Sequence, residues 1–364
     1  MIPETTKDIT VEWLNDTLHA NRFLKDESIV SLGHNPIAIG EGFMSDMARL
    51  TVAYDRDTLN LPITMIAKFP TAFESARAVG MQLNIYEKEI RFYQEVAPKS
   101  PIRTPGLIYG EVDSTNQRYA LLMEDCSYCE QFDQTVGMDY EQTKLAVLKL
   151  ADFHIRWWDA PELKSFSWLP DPRDPVRQMN LINIFRACWE ACAQREDFRT
   201  MLPAGGWEAG LKIYEHYAWL IENVHENNLT ISHTDYRADN MFFDPNTPDD
   251  PLIVFDWTNT TVSRGVIDLA YLLAVSLTID LRRQVEKDIV KCYYQHLIDG
   301  GISDYSYDEC WTDYLKGLLR STIIGVVAFS SLDMSDPRGV ELQRVGGERW
   351  FTSIVDNDAT SVLP

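Results

Sequence analysis

His233, Asp235 and Asn240 fall within the segment ISHTDYRADNMFFD, and Asp256 closes the apolar run Leu252–Phe255 sixteen positions after Asn240. The pattern H-x-D-x-x-x-x-N, followed by a buried strand that ends in a carboxylate, makes a narrow demand on a fold. One loop and one strand end must present three oxygen-bearing side chains for a common task. The residue types suit phosphoryl transfer. That chemistry needs a carboxylate to accept or orient the proton of an attacking hydroxyl. It also needs hard oxygen ligands for Mg²⁺, which offsets the charge of the moving phosphate. Asp235 fits the first role, and Asn240 and Asp256 fit the second. Asp268, at the start of a helix over Val266–Leu277, reads as that helix's cap.

Such a loop is incomplete without a nucleotide half-site, and the first third of the chain offers one. HNPIAIGEGF, ARLTVAYD, LPITMIAKFP and QRYALLMED are short β-type runs separated by turn-formers. In Thr64–Phe69 a single lysine, Lys68, interrupts an otherwise apolar strand, and a buried lysine needs a partner charge or a phosphate. A helix is predicted from Phe73 to Val96. Met81, Ile85, Phe92 and Val96 trace one apolar stripe on it, Glu89 falls on that stripe, and Glu87, Lys88, Arg91 and Glu95 fall off it. A carboxylate on the core side calls for a cation. Lys68 is the natural partner, with an arginine as the alternative; a Lys–Glu pair of this kind positions nucleotide phosphates. Gly40, Gly42 and Ser45 lie in IGEGFMS, a turn whose backbone amides would approach phosphates and which equally suits an ordinary hairpin. Ala120–Asp125 reads as the last strand of this region, and backbone groups at Met123, Glu124 and Asp125 are where an adenine would bond.

After Asp125 the apolar spacing turns helical. Candidate helices are Tyr140–Trp158, Leu181–Arg195, Trp207–Asn227, Val266–Leu277, Leu281–Asp299 and Tyr307–Leu332. The tail after Met334 is polar and poorly periodic. The pattern predicts an α+β, bilobal chain: residues 1–124 as a β-rich nucleotide-binding lobe with one helix, and 125–364 as a larger α-rich catalytic and substrate-binding lobe.

The net charge of −22 argues against broad binding of nucleic acid or an anionic membrane, but not against one small anion in a local pocket. Seven acidic residues against two basic ones lie between Ser232 and Asp268. A triphosphate would be repelled there without divalent metal, which agrees with a Mg²⁺ requirement. Cys126 and Cys129 form a C-x-x-C with no second ligand pair nearby, so the six cysteines read as reduced thiols. The N-terminus shows no signal-peptide pattern and no apolar run is long enough to span a membrane, so a cytoplasmic location is expected.

The chain resembles the aminoglycoside phosphotransferase and choline kinase-like superfamily, a branch of the protein-kinase-like fold. Within that superfamily it is most similar to the ecdysteroid kinase-like branch. VEWLNDTL, AKFP, YEKEIRFYQEVAP, LLMEDC, LADFHIRWW, SHTDYRADNMFFD and VFDWTNTTVSRGVIDLAYLL carry the resemblance. It implies Asp235 as catalytic base, Asn240 and Asp256 as Mg²⁺ ligands, Lys68 as the phosphate-binding lysine and Glu89 as its partner. ATP would be the donor. The acceptor would be a hydroxyl on an amino sugar, an amino alcohol or a sterol-like alcohol. Thr234 stands where the aminoglycoside enzymes usually have glycine, and Gly40 and Gly42 make a thin phosphate loop. The alternative is a catalytically silent nucleotide-binding or scaffold protein on the same fold, which predicts loss of at least one of these groups; all are present.

Overall fold

The computed structural model describes residues 2–37, 45–57, 61–223, 227–331 and 336–364. Two compact units divide the chain. The first is Met1–Glu130 together with Asp244–Asn259; the second is Gln131–Phe243 together with Thr260–Pro364. The architecture is α+β, with the main sheet in the first unit and most helices in the second.

The first unit begins with α1 (Val11–Ala20), whose first turn is capped by the Thr10 hydroxyl. Five antiparallel strands follow: β1 (Ile29–Ile37), β2 (Ser45–Tyr54), β3 (Thr64–Pro70), β4 (Leu107–Asp113) and β5 (Arg118–Glu124), in the order β1-β2-β3-β5-β4. Alternation sets the two faces. On β3, Met65, Ala67 and Phe69 are buried in one cluster with Leu14 and Leu18 of α1 and with Leu50 and Leu122. Lys68 is out of phase with them, so the strand delivers its ammonium to the opposite face.

That face is served by a helix that differs from the single span predicted over Phe73–Val96. Asn84 adopts a left-handed conformation (φ 53°) and breaks it into α2 (Glu74–Gln82) and α3 (Ile85–Arg91); a π-helical turn then runs over Phe92–Val96. Asparagine tolerates this backbone because its short amide bonds locally. Lys88, expected on a solvated face, is buried. A one-sided stripe underestimates burial here because α3 packs against both the sheet and the segment Trp257–Asn259. α1 is a second helix that the strand-rich reading of the first third did not include.

The second unit contains α4 (Tyr140–Trp157), α5 (Pro175–Ala193), α6 (Glu196–Met201), α7 (Gly206–Glu222), α8 (Val266–Ser276), α9 (Ile279–Asp299), α10 (Tyr307–Arg320), α11 (Thr322–Ser330) and α12 (Pro337–Asp356). α8 is buried along its whole length and forms the centre of this unit. The segment predicted as one helix over Tyr307–Leu332 is divided at Ser321 into α10 and α11. The tail that showed little periodicity forms the twenty-residue α12. It starts at an Asp336 cap followed by Pro337 and buries Trp350, Phe351 and Ile354. Its polar residues concealed the apolar positions because Arg349, Thr352 and Ser353 are buried with them. Among the described residues, no helix is long and apolar enough to cross a membrane, and all six cysteines are free thiols.

Candidate active site

In the first unit the Lys68 ammonium donates to Glu89 Oε1 at 2.8 Å and to Asp256 Oδ1 at 3.1 Å. β3 supplies the lysine and α3 the glutamate. The segment Asp244–Asn259 supplies Asp256, and several bonds tie this segment to the unit. Arg103 donates to Asp244 at 3.0 Å, the Arg103 carbonyl accepts from the Val254 amide, and Trp257 stacks on Phe92 with ring centroids 3.8 Å apart. Asp256 itself has φ 61° and also accepts from the Thr258 hydroxyl at 3.0 Å. A non-glycine residue held in this region marks backbone fixed by its surroundings, a frequent property of functional turns.

The electrostatics of this triad follow from its burial. Burial alone would depress the Lys68 ammonium, but the Asp256 and Glu89 charges outweigh it and raise it above the usual lysine range. Burial pushes the Glu89 carboxyl up to about 7; Lys68 pulls the other way and the Asp256 charge adds to the rise. One cation shared by two carboxylates leaves a net negative charge in a half-buried place. A divalent cation or a rearranged Lys68 contact to phosphate would relieve that imbalance.

Of the other positions the sequence singled out, Ser45 is the buried first residue of β2, opposite Pro70. Gly40 and Gly42 lie outside the described residues. Met123 and Glu124 end β5. The Glu124 amide bonds the Gly106 carbonyl, while its carboxylate takes the Gly106 amide and the Tyr128 hydroxyl. Asp125 is ion-paired with Arg49 at 2.7 Å. Burial would raise the Asp125 carboxyl, but Arg49 and the neighbouring hydroxyls of Thr64 and Ser127 hold it below the ordinary range. The side chains of Glu124 and Asp125 are thus taken up in fixing the strand end.

In the second unit the catalytic-loop motif forms a tight cluster of its own. The Asn240 amide nitrogen donates to the Asp235 carbonyl and to Asp235 Oδ2, both at 2.9 Å. This turns the Asn240 side-chain oxygen away from Asp235, and it accepts no hydrogen bond from the described residues. A carbonyl oxygen presented in this way is the atom a hard cation takes. Asp235 also accepts from Arg237 Nε at 3.1 Å, while Arg237 reaches Asp239 and Gln134 at 2.9 and 2.8 Å. Burial would lower the Arg237 guanidinium; the Asp235 and Asp239 charges reverse that and raise it. Tyr271 of α8, buried beside Asp235, is raised well above the usual phenol range by burial and then by the Asp235 charge.

The cap expected at Asp268 is not formed; Gly265 occupies that position. Asp268 is fully buried, and its carboxylate accepts the Ser232 hydroxyl at 2.8 Å and the backbone amides of His233 and Thr234 at 2.8 and 2.7 Å. His154 of α4 approaches it at 3.3 Å and bonds the Tyr293 hydroxyl on its other ring nitrogen. Asp268 therefore holds the loop from beneath, where Thr234 has φ 61°. The signal in the sequence was an acid inside the apolar run VIDLAYLLAV: a buried charge there must be met by several donors. Arg237, Tyr271 and Tyr93 were also missed. Tyr93 is buried in the π-helical turn, its hydroxyl without a hydrogen-bond partner among the described residues, and its presence there could not be inferred without that turn.

Gly265 is fixed by the same assembly. A Cβ on it would stand 2.5 Å from His154 Nδ1. Gly265→Ala should therefore cost about 1–3 kcal/mol by overpacking, read as a lower midpoint in denaturant; an unchanged midpoint would show that His154 is free to move.

Residues 39–155 and 177–302 match the ecdysteroid kinase-like family, about two thirds of the chain. The chain belongs to the ecdysteroid kinase-like family. No curated protein sequence matches it. Solved structures share its fold. A choline kinase from Cryptosporidium parvum is 8% identical, with a TM-score of 0.56 and 96% of each chain covered. An ethanolamine kinase from Plasmodium vivax is 10% identical, with a TM-score of 0.54, covering 95% of this chain and 89% of that one. The GDP complex of aminoglycoside 2'-phosphotransferase-IIIa is 16% identical, with a TM-score of 0.51, covering 92% and 98%. At these identities the likeness is one of fold, and it places this ecdysteroid kinase-like chain in the protein-kinase-like architecture that aminoglycoside, choline and ethanolamine kinases use.

Proposed function

We propose that this protein is an ATP- and Mg²⁺-dependent kinase that transfers a phosphoryl group to a hydroxyl of a small molecule. The observation that carries the reading is Lys68 held jointly by Glu89 and Asp256. A lysine so placed binds phosphate oxygens, and its two carboxylates keep it charged and oriented. Asp235 accepts the proton of the attacking hydroxyl, and Asn240, bonded to Asp235, fixes that carboxylate. Asn240 and Asp256 are the residues that would hold Mg²⁺. The donor set is an amide oxygen and a carboxylate, both hard ligands, as this cation requires. When bound, the metal would offset phosphate charge. In this reading Met123, Glu124 and Asp125 present backbone to the base, and Gly40, Gly42 and Ser45 would serve the phosphates.

The test is nucleotide binding and phosphoryl transfer by the full chain, with labelled ATP or GTP, with and without Mg²⁺. The acceptor panel spans amino sugars, amino alcohols and hydroxylated sterols. Lys68→Met should weaken ATP binding about tenfold or more, since it removes a charge-assisted contact worth about 1.5–3 kcal/mol. Equal ATP affinity in the wild type and in Lys68→Met would refute the assignment of the lysine. Nucleotide binding without transfer to any acceptor would favour the silent, nucleotide-binding alternative.

A further inference from the structure

The strand Thr261–Ser263 pairs antiparallel with Thr230–Ser232, which runs directly into the catalytic loop at His233. Thr261 and Ser263 are two residues apart on one strand and share a face. Arg177, in the first turn of α5, donates to the Thr261 hydroxyl at 3.0 Å. Arg320, the last residue of α10, donates to the Ser263 hydroxyl at 3.0 Å. Two guanidinium groups therefore rest on neighbouring hydroxyls of one short strand beside the catalytic loop.

Neither is ion-paired within the described residues. Among the described residues, no carboxylate lies within ion-pair distance of Arg177 or Arg320, and the buried Arg177 Nε has no hydrogen-bond partner. Three other arginines of this unit are matched. Arg237 pairs with Asp235 and Asp239, Arg282 with Glu286 and Asp356, and Arg349 meets the carbonyls of Gln134, Thr135 and Val275. The acid next to this place is committed as well: Asp313 is ion-paired with Arg264 at 3.0 Å. In a chain with 55 acidic residues against 33 basic ones, two sheltered arginines that each meet one hydroxyl, and neither a carboxylate nor a set of carbonyls, run against the composition. Burial is the first cause that brings the Arg177 guanidinium down to about 10, and the Arg320 charge is the second; Asp174 opposes them. Burial lowers Arg320 too. Both side chains keep some accessible surface, so a small ligand can reach them. A largely buried like-charge pair is costly unless an anion completes it, and guanidinium forks suit two-oxygen ligands.

We propose that Arg177 and Arg320 form a binding site for an oxyanion, a carboxylate, sulfate or phosphate group carried by the acceptor molecule. The assignment to the acceptor rests on the kinase reading above. It favours an anionic alcohol over the cationic amino sugars and amino alcohols.

The probe is sodium sulfate, used with the full chain in thermal melts against sodium chloride at matched ionic strength. Sulfate stabilises proteins in general by exclusion, so the wild type is compared with Arg177→Gln and Arg320→Gln. We expect sulfate to raise the wild-type Tm by about 2–4 °C more than it raises that of either variant. Equal shifts in all three would overturn the site. Arg177→Lys, which keeps a charge at the partly exposed start of α5, covers the case in which Arg320→Gln does not fold, and it should retain part of the shift. In the transfer assay, sulfate should compete with the acceptor and not with ATP, with its inhibition constant raised tenfold or more in Arg177→Gln. Competition with ATP would overturn the assignment to the acceptor. The melts need no turnover, so failure to phosphorylate any acceptor would count against the kinase reading while the sulfate comparison still decides the site.

Discussion

Asp235→Asn should lower phosphoryl transfer by about 10²–10⁴-fold while leaving ATP affinity within about twofold of the wild type. The carboxamide fills the same space and can still bond Asn240, but it cannot take a proton from an attacking hydroxyl. Its loss leaves Arg237 with Asp239, 2.9 Å away, so the neighbouring guanidinium stays paired. The variant should therefore fold, and the deficit should lie in the chemical step. Single-turnover measurement with saturating ATP separates that step from binding. Transfer at the wild-type rate would remove Asp235 from the role of base, and an equal loss in ATP affinity would point to a damaged loop instead.

Asp268→Ala is expected to destabilise the protein by about 3–5 kcal/mol, the cost of removing one partner from a buried charged network. The substitution removes the acceptor of the Ser232 hydroxyl and of two backbone amides, at His233 and Thr234, in a largely buried place. It also takes the carboxylate from His154. Because Thr234 is held at a positive φ, relaxation there should move Asp235, so activity should fall further than stability alone explains. Denaturant melts of the wild type, Asp268→Ala and Asp268→Asn measure the first effect, and transfer at a temperature where all three are folded measures the second. A loss under about 1 kcal/mol in Asp268→Ala would show that the loop is held by other means.

The residues of the site were legible because their chemistry restricts them. A lysine alone in TMIAKF and an acid on the apolar stripe of the next helix each demand a partner in an apolar setting, and Lys68 and Glu89 meet at 2.8 Å. Asn240 beside Asp235 follows from a five-residue loop that closes on itself. What resisted reading were interactions between segments distant in sequence. Asp256 bonds a lysine 188 positions earlier, and Asp268 bonds amides 34 and 35 positions earlier. Local periodicity contains no such term. The break at Asn84 was hidden because the apolar spacing continues across it, and α12 was hidden because its buried face includes Arg349, Thr352 and Ser353.

The amino-acid sequence alone determined the α+β layout, the identity of the groups suited to phosphoryl transfer and the family to which the chain belongs. Each of these depends on residue type and short spacing, which the chain carries explicitly. Only the tertiary structure decided that Lys68 is shared between Glu89 and Asp256, that Asp268 holds the loop carrying Asp235 instead of capping a helix, and that Arg177 and Arg320 are ion-paired with none of the described residues. These depend on which buried charges find each other once the chain is packed. In an apolar interior a charge must be answered, but the sequence does not say by which residue, and for the two arginines the folded chain itself offers no carboxylate among the described residues.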